Sequence, residues 1–278
     1  MAAIAMRRFN CDAANWHVFA RGARRLRLFR DDQDFSQFLN YLVYALKESG
    51  CVLWAFALMS NHYHLVLRGS STELTGCMRR LNTMYSRYHN KRYTLDGHTF
   101  DGPYQAFRQP TPWLMLHTLA YVFFNPVKGG LSVSPEDYPW SCYRSYLDLE
   151  GSPLRVDAGK LMATIDPDLK KVWKSFHLAM ELQKRRPSKP TIGRPTMIEL
   201  HQEQFEWLLE HAKDVSERFQ GEDPTLVAMH WAHEIGVTPK AIAQVLGISG
   251  TGAIRTRLCR FKQRLSEDAD LRKRLALA

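Results

Sequence analysis

The stretch Phe56–Arg68, FALMSNHYHLVLR, decides how the rest of the chain can fold. Apolar and β-branched residues flank a short polar break at Met59-Ser60-Asn61, which predicts two short strands joined by a tight turn. Because side chains alternate along a strand, His62 and His64 point to one face and Tyr63 points to the other. Two neighbouring imidazoles on a rigid strand form half of a divalent-metal site. The alternative interpretation is a half-buried strand that carries two histidines by chance.

The bulk composition favours a folded protein with a polyanionic partner. The 278 residues suffice for one large domain or two modest ones, and 45% of them are hydrophobic. The 38 lysines and arginines exceed the 28 acidic residues, so the chain carries a net charge of +10 at pH 7. This balance favours nucleic acid as the partner, and a basic protein without such a partner is the alternative.

The cysteines and the apolar runs indicate a reducing, cytoplasmic location. Five widely spread cysteines without a CxxC pair argue against a disulfide framework and against a zinc knuckle. The sequence shows neither a signal-peptide core nor an apolar run of the roughly 18 residues that span a bilayer. We therefore expect a cytoplasmic protein with no membrane segment, associated with the nucleoid if it binds DNA.

Hydrophobic periodicity predicts alternating strands and helices around the central stretch. The predicted elements are a strand at 15–21, a helix at 31–49, strands at 51–58 and 62–68, a helix from 71 or 72 to about 89, a strand near 104–108 and a helix that begins at 111. Two consecutive central strands favour an antiparallel sheet with helices on one side, which is an α+β fold. An all-α region follows it.

The helix after the last strand brings three polar side chains onto one face. Thr111 is predicted to cap it, and Pro126 predicts that it ends near Asn125, because a residue before proline is biased away from helical geometry. His117, Tyr121 and Asn125 follow one another at intervals of four residues and therefore share a face.

The histidines and this helix together predict a site that cleaves phosphodiesters. A metal held by His62, His64 and the amide oxygen of Asn125 would keep open positions and could polarise a phosphodiester oxygen. A phenol ionises near pH 10, but it loses its proton more easily beside a metal-bound phosphate. Attack by Tyr121 would form a phosphotyrosine and free a 3′-hydroxyl, and a DNA 3′-end could reverse the step. From the residues alone the other tyrosines of the chain, which has 11, stay open as nucleophiles.

One group of candidate DNA contacts lies in the first region. Arg79, Arg80 and Arg87 belong to the helix that starts near residue 71. We expect them to contact phosphates, and a merely solvated helix face is the alternative.

A second group lies near the C-terminus. Thr238–Ser249, TPKAIAQVLGIS, has the start, the apolar spacing and the glycine turn of a helix-turn-helix. Arg255, Arg257 and Arg260 lie outside the apolar stripe of the next helix, as a reader of duplex DNA requires. A generic helical bundle is the alternative.

The predicted domain organisation follows from these patterns. Residues 1–150 form the domain with the histidines, 151–195 a helical connector and basic linker, and 196–278 the all-α helix-turn-helix domain. The boundary is placed at Lys184–Pro190, a basic segment that contains prolines.

Five stretches between about residues 7 and 147 form an ordered set of motifs. They are Trp16–Gly22 (WHVFARG), Leu58–Val66 (LMSNHYHLV), Arg80–Tyr85 (RLNTMY), Tyr121–Leu131 (YVFFNPVKGGL) and Tyr138–Tyr143 (YPWSCY). In this order they resemble the motifs of single-tyrosine HUH transposases. The resemblance points to the branch that is associated with repetitive extragenic palindromes.

The resemblance implies a ferredoxin-like sheet, a metal site, a nucleophile and a DNA substrate. It implies Mg²⁺ or Mn²⁺ held by His62, His64 and Asn125, with Tyr121 as the nucleophile. The implied substrate is single-stranded DNA beside a small palindromic hairpin, cut and rejoined through a 5′-phosphotyrosine. Related transposases act as monomers or as homodimers, and both states stay open. The helix-turn-helix resembles domains that are appended to some relatives.

Two further histidines are candidates for an accessory role. His117 lies one helical turn before Tyr121, and His17 lies on a strand that could approach the metal face. Each could touch the site, and each could instead be a packing residue.

Two other functions fit parts of the sequence. One is a DNA-binding regulator without catalysis, in which the helix-turn-helix binds DNA and the first domain is a retired transposase. The other is an RNA-binding sheet of the RRM type, which shares the topology but lacks its basic-aromatic run. The presence of His62, His64, Tyr121 and Asn125 together favours the enzyme.

Overall fold

The computed structural model describes residues 13–25, 27–109, 111–185, 205–206, 209, 212–213, 222–234 and 237–271. The chain separates into two compact units, residues 1–189 and residues 190–278. Neither unit contains, among the described residues, a helix long and apolar enough to cross a membrane.

The first unit alternates strands and helices in the predicted order. Its elements are β1 (Ala14–Arg21), a short 3-10 turn (Ala23–Arg25), α1 (Asp32–Ser49), β2 (Val52–Met59), β3 (His62–Gly69), α2 (Ser71–Tyr93), β4 (Gln105–Arg108), α3 (Pro112–Lys128), α4 (Tyr143–Tyr146), α5 (Ala158–Ile165) and α6 (Leu169–Arg185). The predicted order of strands and helices through α3 is therefore confirmed.

The four strands form one antiparallel sheet in the order β2-β3-β1-β4. This is the strand order of a ferredoxin-like sheet, so the predicted fold class is confirmed. The tight turn at Ser60-Asn61 joins β2 to β3, and it sets the register in which Leu58 opposes Tyr63. In the neighbouring pair Phe19 opposes His64 and Arg21 opposes His62. Because directly opposed residues share a face, these pairings sort the sheet into two faces.

The first face, which we call the covered face, carries Tyr63 and packs against α1 and α2. The ring of Phe38 from α1 lies 4.8 Å from that of Tyr63, and the Tyr63 hydroxyl donates a hydrogen bond to Asn82 Oδ1 of α2 at 2.6 Å. Burial of a side chain such as Phe38 contributes roughly 1.5–3 kcal/mol. Arg92 near the end of α2 forms an ion pair with the buried Asp34 of α1 and thereby ties the two helices together.

The second face, which we call the site face, carries the histidines and lies against α3. The prediction of helices on one side therefore holds for α1 and α2, and α3 adds a layer on the opposite side. The outer surface of α3 is covered in turn by α6, where the rings of Phe123 and Phe176 lie 6.4 Å apart. A helix that is enclosed on two sides must be apolar around most of its circumference, which explains Val122, Phe123 and Phe124.

The end of α3 differs from the sequence-based prediction. The helix does not stop near Asn125 but continues through Pro126 to Lys128. A proline in the last turn removes only one backbone hydrogen bond, and the burial of Pro126 between layers offsets that loss. The Gly129 N–H closes the helix by donating to the Asn125 carbonyl at 2.9 Å. Asn125 therefore keeps helical geometry, and its side chain stays in line with Tyr121.

The second unit contains the predicted helix-turn-helix segment. Its described helices are α7 (Pro224–Glu234), α8 (Pro239–Val245) and α9 (Gly252–Glu267). The Thr238 hydroxyl caps α8 by accepting the Ala241 N–H at 3.3 Å, and Gly247 turns the chain with a φ of 65°. Both α8 and α7 pack against the apolar stripe of α9.

The predicted domain boundaries stay predictions. α6 begins inside the segment predicted as a connector, and it packs on α3 within the first unit. Residues 186–204, which include most of the predicted basic linker, lie outside the described residues.

Candidate active site

The two histidines of the central stretch lie side by side on the site face of β3. Their ring centroids are 5.0 Å apart, and the rings are nearly perpendicular at 88°. His64 is 2% exposed, and His62 is half-buried at the end of the strand. β3 is an inner strand, flanked by β1 and β2, so its backbone holds both imidazoles firmly.

The Nδ1 atom of His62 lies beside an amide oxygen of the turn. The distance between His62 Nδ1 and Asn61 Oδ1 is 2.7 Å, so Nδ1 donates a hydrogen bond there when it carries the ring's proton. Burial, followed by the charge of Arg21, lowers the pKa of His62 to about 3, so the ring is neutral at physiological pH. A neutral ring that is protonated at Nδ1 presents the lone pair of Nε2.

That lone pair faces the side chain of Asn125 from α3. The distance between His62 Nε2 and Asn125 Oδ1 is 3.1 Å. With the ring's proton on Nδ1, both atoms are acceptors, and they are satisfied either by an amide turned to donate its N–H or by a cation bound to both. Two ligands at right angles around a metal, each about 2.1 Å from it, lie about 3 Å apart. The spacing of these two atoms therefore fits neighbouring ligands of one divalent ion.

The candidate metal ligands are few and are of two chemical kinds. Within the described part of the chain, no group of three or more histidine, cysteine, aspartate or glutamate side chains is arranged to hold a metal. The candidate set consists instead of two imidazoles and one amide oxygen, from His62, His64 and Asn125. Such a set leaves several positions of a six-coordinate ion open to water or to a phosphate oxygen.

His17 of β1 lies directly against His64. The distance between His17 Nε2 and His64 Nδ1 is 3.0 Å, and the two rings stack with their centroids 5.1 Å apart. Both residues are only 2% exposed. Burial lowers the pKa of His17 to about 3 and that of His64 well below its usual value, so both rings are neutral. Of the two accessory candidates, His17 is thus in contact with a predicted ligand.

The candidate nucleophile approaches the same place from α3. The Tyr121 ring stands edge-on to His64 with the centroids 5.6 Å apart, and edge-on to His17 at 5.9 Å. Tyr121 is half-buried, so its ring is accessible in part. His117, one turn earlier on this helix, is 5% exposed. The structure thus brings Tyr121 and Asn125 together with His17, His62 and His64 on the site face.

Two residues at this site received no role from the sequence. Arg21 lies on the site face, because it follows His17 and Phe19 at intervals of two along β1 and opposes His62. Its charge lowers the pKa of both His62 and His64. Arg21 could have been predicted to lie on the site face, because side chains alternate along the strand and Arg21 is part of the motif Trp16–Gly22. Asn61 could have been found from its position directly before His62 in a tight turn.

The predicted DNA-contacting arginines lie elsewhere. Arg79, Arg80 and Arg87 belong to α2, which packs on the covered face, opposite the site. Arg79 and Arg87 are exposed and Arg80 is half-buried.

The other predicted DNA contacts belong to the second unit. Arg255, Arg257 and Arg260 are all exposed on α9. They lie outside the buried stripe of Ile254, Leu258 and Phe261, as the sequence pattern predicts.

Comparison with known proteins finds a family match for part of the first region. Residues 10–108 match the family described as "Transposase IS200 like". No curated protein matches the chain. The matched segment contains β1, β3 and the histidines His17, His62 and His64. It ends at Arg108, before α3 begins, so Tyr121 and Asn125 lie outside it.

Two solved structures resemble parts of the chain. One is described as "Structure of the REP associates tyrosine transposase bound to a REP hairpin", with 15% identity, a TM-score of 0.46, and coverage of 57% of this chain and 93% of that one. The other is a putative transposase from Deinococcus radiodurans R1, with 15% identity, a TM-score of 0.30, and coverage of 36% and 81%.

The family match and the sheet with its paired histidines make the first region similar to IS200-like transposases. The resemblance that the motifs indicated is confirmed at this level, and the palindrome-associated branch stays a prediction.

Proposed function

We propose that this protein cleaves and rejoins single-stranded DNA through a covalent link between Tyr121 and a 5′-phosphate. The observation that carries this proposal is the convergence on the site face. One helix, α3, presents Tyr121 to His64 and Asn125 to His62, while β3 holds both histidines. The match of residues 10–108 to IS200-like transposases supports the class of reaction, and the geometry supports the choice of residues.

The proposed step is an in-line exchange at phosphorus. The Tyr121 oxygen forms a bond to the phosphorus and the bond from phosphorus to the 3′-oxygen breaks. The phenol gives up one proton, and the leaving 3′-oxygen takes up one. The products are a 5′-phosphotyrosine and a free 3′-hydroxyl. No high-energy bond is lost, because one phosphodiester replaces another, so a DNA 3′-hydroxyl can reverse the step and rejoin strands.

The chain's own residues hold the reacting groups. His62, His64 and Asn125 would hold Mg²⁺ or Mn²⁺, which supplies Lewis-acid polarisation of the scissile phosphate when bound. α3 fixes Tyr121 over the sheet, so that its attack becomes intramolecular once DNA is positioned. The buried walls formed by His17 and His64 keep water from one side of the tyrosine ring.

The proposed substrate is single-stranded DNA beside a hairpin. The motif resemblance to the palindrome-associated branch supports this substrate class, and the net charge of +10 supports a polyanionic ligand. Monomer and homodimer are both compatible with a site whose residues all come from one chain. Light scattering of the protein with and without DNA would distinguish the two states.

A covalent-capture assay tests the proposal. The protein is incubated with pools of single-stranded hairpin DNA and Mn²⁺, and a denaturing gel reveals any adduct. We expect an adduct that Tyr121→Phe abolishes and that Tyr63→Phe, the matched control on the covered face, retains. Peptide mapping of the adduct should place the DNA on Tyr121. An adduct that persists in Tyr121→Phe would show that another tyrosine is the nucleophile.

The second unit supports a further binding function and keeps one alternative open. Arg255, Arg257 and Arg260 are exposed on the helix that follows the α8 turn, which is where a helix-turn-helix contacts duplex DNA. We propose that this unit binds duplex DNA. In the alternative, the protein is a regulator whose only function is to bind duplex DNA, and the first unit has lost its catalytic activity.

Selection from a random duplex pool distinguishes these possibilities. We expect enrichment of a defined sequence by the intact chain, with loss of that enrichment in the triple variant Arg255→Ala, Arg257→Ala, Arg260→Ala. If duplex selection succeeds and no single-stranded pool gives an adduct, the regulator is the better account. Loss of enrichment without loss of adduct would assign the two functions to separate units.

A further inference from the structure

We propose that His17 is a positioning residue that fixes His64 as a metal ligand by accepting the hydrogen bond from His64 Nδ1–H. This inference rests on the proposed function only in taking His64 as a ligand. The observation is the distance of 3.0 Å between His17 Nε2 and His64 Nδ1, inside a pair of rings that are each 2% exposed.

The pairing of β1 with β3 places these two rings in contact. β1 and β3 are the two inner strands of the sheet, and they pair with Phe19 opposite His64 and His17 opposite Val66. His17 is therefore the diagonal neighbour of His64 on the same face. The stacked arrangement, with centroids 5.1 Å apart, leaves the contact between the two nitrogens buried.

The single proton between these nitrogens can be arranged in two ways. If His64 Nδ1 carries it, His64 Nε2 has a free lone pair and can bind a metal. If His17 Nε2 carries it, the remaining proton of neutral His64 is on Nε2, which blocks that nitrogen as a ligand. Only the first arrangement is compatible with a metal held by His64 Nε2.

The neighbouring ligand shows the same construction. Asn61 Oδ1 lies 2.7 Å from His62 Nδ1, so a proton on that nitrogen leaves Nε2 for Asn125 and the metal. In this arrangement each ligand histidine has an acceptor behind Nδ1, which is Asn61 for His62 and His17 for His64. Such acceptors fix both the tautomer and the orientation of a ligand ring.

His17 is assigned to position His64 rather than to bind the metal itself. The nitrogen of His17 that faces the site is Nε2. This atom already contacts His64 Nδ1, so it is not available to a metal. The candidate metal position lies instead between His62 Nε2 and Asn125 Oδ1. His17 therefore acts on the metal through His64.

The experiment combines a tautomer measurement with metal affinity. Nitrogen NMR of protein labelled at histidine with ¹⁵N reports which nitrogen of His64 is protonated, and calorimetry reports the affinity for Mn²⁺. We expect His64 to be protonated at Nδ1 in the wild-type protein. We expect His17→Leu, which removes the acceptor, to weaken Mn²⁺ binding by about 10–100-fold.

Two variants distinguish positioning from packing. His17→Gln places an amide oxygen near the position of Nε2 and should keep the tautomer and most of the affinity. Phe19→Leu changes another ring that lies 5.6 Å from His64 but makes no hydrogen bond to it, and should keep the tautomer. Circular dichroism confirms that each variant is folded, and the wild-type tautomer provides a test that needs no variant.

Several results would overturn the proposal. One is protonation of wild-type His64 at Nε2, and another is equal loss of affinity in His17→Gln and His17→Leu. Pulsed electron paramagnetic resonance of bound Mn²⁺ should count two imidazole nitrogens, and a count of three would make His17 a ligand. These readouts need no DNA, so a correct tautomer without any adduct would contradict the proposed function and leave the positioning role standing.

Discussion

Three consecutive residues, His62-Tyr63-His64, supply both faces of the same sheet, and the two faces differ in what their polar atoms do. On the covered face the Tyr63 hydroxyl is buried and donates to Asn82 of α2. On the site face His62 Nε2 points at Asn125 Oδ1 of α3, an arrangement that a cation would satisfy. On the covered face the hydroxyl is paired within the chain. On the site face two neighbouring side-chain atoms lie close enough to bind one cation.

The covered face contributes mainly to stability, and the site face mainly to the proposed chemistry. An asparagine reaches the sheet from each side, and the two amides have opposite roles. Asn82 satisfies a buried donor, so it contributes to the free energy of unfolding. Asn125 lies beside another acceptor, so its contribution appears when a cation is bound. Changes on the two faces should therefore affect different measurements.

The largest effect is expected from Asn125→Ala. Removing this oxygen takes away one of three proposed metal ligands, so the affinity for Mn²⁺ should fall by at least about 10–100-fold and adduct formation with it. The midpoint of urea unfolding in the absence of metal should change little, because Asn125 is half-buried and near the end of α3. Calorimetry and urea titration measure the two quantities. Wild-type affinity in the variant would remove Asn125 from the ligand set.

Acid should destabilise the site face next. His17 and His64 are buried and neutral, with the pKa of His17 near 3 and that of His64 well below its usual value. Their folded pKa values are depressed, so the stability they allow is present above about pH 6.5 and is lost as the pH falls below it. Each proton taken up on unfolding costs about 1.4 kcal/mol per pH unit in this range.

The variant His17→Gln sharpens this prediction. It removes one of the buried neutral rings, so the pH dependence of the urea midpoint between pH 6.5 and 4.5 should become shallower by about one proton. Tyr63 contributes nothing in this range, because burial raises the pKa of its hydroxyl far above it. An unchanged pH dependence in the variant would show that His17 is already protonated in the folded state.

On the covered face, Asn82→Ala should lower stability without changing the chemistry. It leaves the Tyr63 hydroxyl without its acceptor, at a cost of about 1–3 kcal/mol in the free energy of unfolding. The double variant Asn82→Ala, Tyr63→Phe should recover part of that loss, because both partners are then absent. Mn²⁺ affinity should stay at the wild-type value in both variants. A loss of affinity would mean that the two faces are coupled through β3.

The smallest effect is expected from the arginines over the covered face. If DNA extends around the sheet to α2, the pair Arg79→Ala, Arg87→Ala should weaken binding uniformly. The slope of log affinity against log salt concentration should then fall by about 0.7 for each phosphate that is no longer neutralised. The yield of adduct at saturating DNA should not change. Fluorescence anisotropy at several salt concentrations measures the slope, and an unchanged slope would confine DNA to the site face.

Much of the sheet followed from local patterns in the sequence. The alternation of Trp16, Val18 and Ala20 with His17 and Phe19 defines a two-faced strand, and the same alternation separates Tyr63 from His64. The spacing of His117, Tyr121 and Asn125 put them on one helix face, since helical periodicity is local. These relations depend only on neighbours within a few residues, so they could be predicted.

The relations that local patterns could not settle depend on tertiary contacts. α3 continues past Pro126 because α3 is enclosed between the sheet and α6, and a local proline rule cannot include that burial. The contact between His17 and His64 spans 47 positions and is set by strand register. The place of Arg79 and Arg87 on the face opposite the site follows from the side on which α2 packs. Sequence periodicity gives the buried stripe of α2 but not the side of the sheet that it meets.

The strand order β2-β3-β1-β4 also bears on how the protein opens. His17, His62 and His64 all lie on the two inner strands, whereas the edges β2 and β4 contribute none of the proposed ligands. Edge strands and helix ends open in low-energy fluctuations, while inner strands commonly exchange their amide hydrogens only when the whole domain unfolds. The amides of these three histidines should therefore be among the slowest to exchange in deuterated water. The imidazole part of the site would then keep its shape through partial openings that begin at the edge strands and at helix ends.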